Sequence, residues 1–90
     1  MITLIASNEE DQKIGQRHAV NVVEKYTEAV DRGLSVWRDS YTEAGKLRKR
    51  PWAVGCIKRS TFLGCCIPSA HSHHGTIEAA IAQAKSPRSR

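Results

Sequence analysis

The apolar positions of this 90-residue chain change period several times along its length. A short β-branched and apolar run, Ile2 to Ala6, predicts a first strand. Between Ile14 and Val30, apolar residues recur at steps of three and four, which is the stripe of an amphipathic helix. Since Gly33 is suited to a left-handed C-cap, we predict one long helix from about Glu9 to Arg32.

The start of this helix carries a capping signal. Ser7 and Glu10 fit the S-x-x-E capping box, in which the two side chains accept hydrogen bonds from each other's backbone amides. Acidic Glu9 and Asp11 suit the positive end of the helix dipole. We therefore place the N-cap at Ser7.

Residues 34–48 fit two different elements. β-Branched and aromatic residues between Leu34 and Tyr41 favour a strand followed by a turn at Gly45. The spacing of Trp37, Tyr41 and Leu47 also fits a short helix. We predict the strand and keep the helix as the alternative.

The next segment predicts a β-hairpin, because Pro51 ends any helix at the residue before it. Two apolar runs, Trp52–Lys58 and Thr61–Ile67, flank a polar loop at residues 59–60. Pairing about that loop places Trp52 opposite Ile67 and gives both faces an apolar character. It also places Gly55 opposite Gly64, in a notch where another backbone could approach closely.

The C-terminal part predicts a loop and a second helix. Residues 68–75 are taken as loop, and Thr76 as the N-cap of a helix with an apolar stripe from Ile77 to Ala84. Pro87 ends this helix, and residues 87–90 are predicted to be a disordered basic tail.

Together these elements predict a single α+β domain over residues 1–86, since so short a chain holds one core. The expected sheet has three or four mainly antiparallel strands, packed against the long N-terminal helix and the short C-terminal helix. The expected order is β-α-β-β-β-α.

The order helix, three strands, helix over residues 9–86 resembles that of double-stranded-RNA-binding domains. That family carries lysines at the start of its last helix, where this chain has His73, His74, Gly75 and Thr76. The resemblance is therefore one of topology and assigns no residue a role.

The net charge of +5 is unevenly distributed. Residues 1–33 hold four Lys or Arg against six Asp or Glu, whereas residues 34–90 hold ten against three. Such asymmetry favours nucleic acid, an acidic protein surface or anionic lipid as partner. No apolar run approaches a membrane span, and the N-terminus lacks the pattern of a signal peptide, so we expect a cytoplasmic protein without membrane contact.

Cysteine and histidine supply the candidate chemistry. Their spacing lacks the C-x₂₋₄-C pair of zinc sites, and no acidic residue is placed to orient a cysteine–histidine pair. The segment His71 to His74, just before a helix, is interpreted as a solvated polar loop, with anion binding as the alternative. We therefore predict no metal, no cofactor and no catalytic residue; the residues considered are Cys56, Cys65, Cys66, His71, His73 and His74.

We predict a non-enzymatic basic protein that binds nucleic acid or a nucleoprotein complex. Its cations fall in two clusters about 20 Å apart along the hairpin. The alternative is a small inhibitor or adaptor docking on an acidic surface of a host protein complex, as phage-encoded anti-CRISPR proteins do. A zinc- or cysteine-dependent enzyme is the third reading. The predicted contact residues are Lys46, Arg48, Lys49, Arg50, Lys58 and Arg59.

Overall fold

A computed structural model of the chain describes residues 2–60 and 64–86. It is a mixed α+β fold with five strands and two helices. The elements are β1 (Thr3–Ile5), α1 (Glu9–Arg17), β2 (Asn21–Val23), a short 3₁₀ helix (Tyr26–Glu28), β3 (Leu34–Arg38), β4 (Trp52–Ser60), β5 (Cys65–His74) and α2 (Ile77–Lys85).

The sheet has the strand order β2-β1-β3-β4-β5. β1 runs parallel to both of its neighbours, β2 and β3, while β3–β4 and β4–β5 are antiparallel. The predicted α+β class is confirmed. The prediction of three or four mainly antiparallel strands was wrong. The strand β2 had no counterpart among the predicted strands, and the parallel pairing of β1 with both β2 and β3 was not expected.

The long N-terminal helix was also wrong, because α1 ends at Arg17. The chain turns at Ala19, whose φ of 57° is left-handed, and then enters β2. Valines are stiff at χ1 and fit a strand better than a helix, so Val22 and Val23 belong to β2 although their spacing matched a helical stripe. The N-cap is Asn8, whose side chain accepts from the Asp11 amide, and not Ser7.

The extra strand removes the resemblance to the double-stranded-RNA-binding arrangement. After β1 the order is helix, four strands, helix, with the 3₁₀ helix between β2 and β3. The strand that follows α1 joins the sheet parallel to β1. We therefore draw nothing from that family.

Both faces of the sheet are covered. On one face, Leu4, Val36 and Val54 pack against the apolar stripe of α2, with Ile14 of α1 at the margin. On the other face, Trp37 and Ile57 pack beneath Ala29 of the segment that follows the 3₁₀ helix. β4 lies inside the sheet and contributes to both cores, which explains why both of its faces are apolar.

The β4–β5 hairpin has a different register from the predicted one. Trp52 pairs with His74, and Ser60 with Cys65, so the turn falls after Ser60. The predicted loop residues Arg59 and Ser60 are strand, and residues 68–74, predicted as loop, belong to β5.

The glycine notch is likewise wrong. Gly55 pairs with Ala70, next to a register shift in the ladder. A Cβ added to Gly55 would lie 2.0 Å from the Ser69 carbonyl oxygen and 2.9 Å from the Ala70 Cα. The close approach expected of Gly55 is therefore real, but the approaching backbone is β5.

Other predictions are confirmed. The strand beginning at Leu34 is β3, which ends at Arg38. The second helix begins at Ile77, with the Thr76 hydroxyl accepting from the Ala79 amide at 3.1 Å. Residues 87–90, predicted as a disordered tail, lie outside the described residues, as do 61–63. Among the helices described, none has the length and apolar character needed to span a bilayer.

Candidate functional site

The connection between β3 and β4, residues 39–51, is an ordered hairpin that we call the basic loop. Tyr41 and Leu47 form an antiparallel bridge. The Thr42 amide donates to the Lys46 carbonyl at 2.8 Å, and the Arg48 amide donates to the Ser40 carbonyl at 2.8 Å. These bonds fix the backbone on both sides of the turn.

A glycine closes the turn of the basic loop. The Gly45 amide donates to the Thr42 carbonyl at 2.9 Å, and Gly45 has a φ of 79°. This is the arrangement of a type I turn followed by a left-handed glycine bulge. The Thr42 hydroxyl adds a bond, accepting from the Lys46 amide at 3.1 Å. The loop therefore has one defined backbone shape.

The basic loop exposes two large apolar side chains side by side. The two hydrogen bonds around the Tyr41–Leu47 bridge identify it as a non-hydrogen-bonded pair, in which opposing side chains lie closest. Tyr41 is 63% exposed and Leu47 is 71% exposed. Such exposure next to cations marks a contact surface better than isolated charge does.

Cations surround this pair. Lys46, Lys49 and Arg50 are exposed, and within the described residues none of the three forms an ion pair with a carboxylate. Arg48 is held differently, since its Nε lies 3.5 Å from Asp39 Oδ2. That contact is an ion pair and not a well-formed hydrogen bond. Three cations without a carboxylate partner among the described residues and one anchored cation thus share the loop.

Asp39 anchors the basic loop to β5. Its Oδ2 lies 3.0 Å from His73 Nε2, and its amide donates to the Pro51 carbonyl at 2.6 Å. Burial raises the pKa of the Tyr26 phenol, and the Asp39 carboxylate raises it further. Asp39 therefore joins the base of the loop to β5, and its charge acts on Tyr26 of the 3₁₀ helix.

A second polar group lies on the opposite face of the same strand end. His74 Nε2 lies 2.9 Å from the Ser72 hydroxyl. Burial lowers the pKa of His74, and the positive charges of Arg50 and His73 lower it further. Adjacent strand residues point to opposite faces, so His73 and His74 cannot share one ligand. The histidine loop predicted here is strand.

The structure brings together part of the predicted contact set. Lys46, Arg48, Lys49 and Arg50 share the basic loop, whereas the tip cations, Lys58 and Arg59, lie at the far end of β4. An unbroken β4 keeps the two clusters about 20 Å apart. Because Lys58 and Arg59 are neighbours in a strand, they point to opposite faces and form no joint surface.

The cysteines lie apart. Cys56 is on the face covered by α2, while Cys66 packs at the edge of the core on the other face. Across residues 2–60 and 64–86, no group of three His, Cys, Asp or Glu side chains is placed to hold a metal ion. Trp52 is 6% exposed in the core, with the Arg38 guanidinium 5.5 Å from its ring centroid.

Three residues of this site were missed from the sequence, Asp39, Tyr41 and Leu47, and His73 was considered only as part of a histidine loop. Tyr41 and Leu47 were considered only as part of a strand or helix. The available signal was the turn at Gly45, since a hairpin about residues 42–45 brings Tyr41 opposite Leu47. The Asp39–His73 contact joins residues 34 positions apart and depends on the β5 register, which the sequence pattern misplaced.

Comparison with known proteins adds no relative. No protein-family model matches the chain, and the searches of curated proteins and of solved structures found no match. Function is therefore inferred from the geometry of the basic loop and its neighbours.

Proposed function

We propose that this protein is a non-enzymatic binding module whose basic loop contacts the phosphates of nucleic acid or of a nucleoprotein complex. The observation that carries this proposal is the cluster of Lys46, Lys49 and Arg50, exposed and without carboxylate partners in the described part of the chain, on a hydrogen-bonded loop. Cations of this kind release counterions when they neutralise phosphates, which drives binding.

The ordered backbone of the basic loop supports a role in binding phosphates. Immobilising a long side chain on binding costs about 0.5–1.5 kcal/mol, and ordering a loop backbone adds to that cost. In the basic loop the turn bonds and the Asp39 contacts have already fixed the backbone. The cations therefore approach a ligand from a pre-formed base.

The charge distribution also supports binding to nucleic acid. The second part of the chain, residues 34–90, carries ten Lys or Arg and three Asp or Glu. A field of one sign draws polyanions to this side and speeds association at low salt. The first part, residues 1–33, is net acidic and supplies β2, the edge strand farthest from β5.

The test is a titration with fluorescently labelled DNA and RNA oligonucleotides over a range of salt concentrations. The double variant Lys49→Glu/Arg50→Glu should weaken binding by roughly tenfold or more and reduce the salt slope by about 1 to 2. The matched control Lys58→Glu/Arg59→Glu makes the same charge change at the other end of β4. We expect a loss of about threefold or less there, by long-range charge alone.

Two outcomes would overturn the proposal. One is the absence of binding by the wild-type protein to any oligonucleotide at low salt. The other is an equal loss in both double variants, which would mean that net charge and not the basic loop determines binding.

A second candidate function is docking on an acidic protein surface, as an inhibitor or adaptor. The specific observation in its favour is Leu47, which is 71% exposed beside Tyr41, since exposed apolar side chains rimmed by charge are typical of protein interfaces. This candidate predicts a stoichiometric complex with a host protein in a pull-down, lost in the Leu47→Asp variant. A pull-down that recovers nucleic acid and no protein would exclude it.

A further inference from the structure

We infer that the ligand of the basic loop is a single-stranded nucleic acid, with a base stacked on the Tyr41 ring beside Leu47. This inference rests on the proposed function and names the substrate class of the same site. It is carried by the position and exposure of the Tyr41–Leu47 pair, which the charge of the loop does not explain.

The exposure of the pair is selective. The described residues include four large hydrophobic side chains that are exposed, and two of them are this pair. Trp52 and Trp37 of the same strands are 6% and 3% exposed. The fold therefore buries the aromatic residues that it uses as core and leaves Tyr41 in water.

The geometry of the pair suits a planar ligand. In a non-hydrogen-bonded pair the Cα atoms lie about 4.5 Å apart, so Leu47 supports one side of the Tyr41 side chain. The turn at Gly45 holds both strands of the loop in place. An aromatic ring that is 63% exposed on a loop with a fixed backbone is a platform on which bases stack.

Exposed cations lie close to the pair in the same loop. Lys46 precedes Leu47 and Lys49 follows it by two residues, and both are exposed without a carboxylate partner among the described residues. Arg48 is held by Asp39, and alternation directs it to the face opposite Leu47. A strand stacked on Tyr41 therefore has Lys46 and Lys49 of the same loop as its phosphate partners.

A duplex fits the pair poorly. Bases in a double helix are stacked on each other, and a tyrosine ring reaches them only where the stack is opened, which costs a few kcal/mol per step. A single strand presents its bases freely and tolerates any sequence, since every base has a π-face. The apolar pair can therefore add affinity for a single strand but not for a duplex.

The experiment compares single-stranded and duplex oligonucleotides of the same sequence and length. Wild-type protein should prefer the single strand by roughly tenfold or more, from a stacking contribution of about 1–3 kcal/mol per base. Tyr41→Ala should abolish most of that preference by weakening single-strand binding, while Tyr41→Phe should keep it within about twofold because the ring remains. The control Ile67→Ala removes an exposed apolar side chain of β5, 41% exposed, and should change neither affinity.

Each of the other outcomes would overturn either this inference or the proposed function. Equal affinity for both forms, or an unchanged single-strand affinity in Tyr41→Ala, overturns this inference even if Lys49→Glu/Arg50→Glu still abolishes binding; the proposed function then stands without it. Absence of binding to either form in the wild type overturns the proposed function itself. If Tyr41→Ala instead loses a captured acidic protein, the docking alternative replaces both.

Discussion

The two ends of β4 carry similar cations and differ in how those cations are held. At the basic loop, Arg48 contacts Asp39, which also lies 3.0 Å from His73 of β5. At the other end, Lys58 and Arg59 extend from neighbouring strand positions to opposite faces. The loop has a fixed turn, an anchored carboxylate and an exposed apolar pair, whereas the tip cations contact no carboxylate among the described residues.

The difference shows that charge density alone does not identify a site. By residue type, the two clusters of cations were equally good candidates. What separates them is the alternation of strand side chains, which disperses Lys58 and Arg59, and the turn at Gly45, which concentrates Lys46 with its neighbours. Geometry, and not composition, decides which cluster can act as a unit.

The largest expected effect on stability comes from a substitution at Gly55, which lies between the two ends of β4. Gly55→Ala places a Cβ 2.0 Å from the Ser69 carbonyl oxygen, and a backbone atom can yield only if β5 shifts. We expect a loss of about 3 kcal/mol or more in the free energy of unfolding, measured by urea denaturation. The loop and the tip cations should lose their positions together.

Gly75→Ala is the matched control, because an added Cβ there meets nothing within 4 Å. It should change the free energy of unfolding by less than about 1 kcal/mol. If Gly55→Ala is as stable as Gly75→Ala, the pairing of Gly55 with Ala70 is wrong, and the position of His73 beside Asp39 loses its basis.

The sequence predicted the elements whose signals are local. The strand at Leu34, the helix from Ile77 and its Thr76 cap depend on neighbouring residues, and all are present. The helical spacing between Ile14 and Val30 was misleading, because Val22 and Val23 form a strand that pairs with β1. A parallel strand pair is a long-range contact that no local period reports.

The candidate site shows the same limit more strongly. The basic loop was found from its cations, but its partners were not. Trp52 pairs with His74 and not with Ile67, a slip of seven residues: six follow from placing the turn at Arg59–Ser60, and one from the register shift between Val54 and Gly55. Since register determines every cross-strand contact, that one choice removed His73 from the vicinity of Asp39.

A smaller effect on stability is expected from substituting the glycines at the two turns. Gly45 has a φ of 79° in the basic loop, and Gly64 has a φ of 65° at the other end, where its amide donates to the Ser60 carbonyl at 2.9 Å. Alanine at either position is strained by about 1 kcal/mol, although an added Cβ has space. Both variants should therefore lose similar stability in thermal unfolding.

Binding should separate the same two variants. Gly45→Ala disturbs the turn that positions Tyr41 and Lys46, so its affinity for a single-stranded oligonucleotide should fall by roughly three- to tenfold. Gly64→Ala should bind like the wild type once both are folded. Equal affinities in the two variants would mean that the shape of the basic loop does not matter for binding.

The smallest expected effect is a pH dependence found only at the loop end. Burial lowers the pKa of His74, with Arg50 and His73 lowering it further, so the folded protein takes up this proton less readily than the unfolded chain. Below about pH 6.5 the unfolded chain binds more protons, and stability is lost as the pH falls through the folded pKa of His74. The melting temperature should drop by a few degrees between pH 7.5 and 5.5, and His74→Gln should reduce that drop, while His71→Gln, an exposed position of β5, should not.

The same proton acts on binding with the opposite sign. A protonated His74 beside Arg50 adds a positive charge next to the basic loop, so oligonucleotide affinity should rise by about two- to fivefold as stability falls over the same pH range. Both changes should shrink in His74→Gln, because one group causes both. If only the stability change shrinks, His74 is a structural residue of the strand end and the ligand does not approach that face.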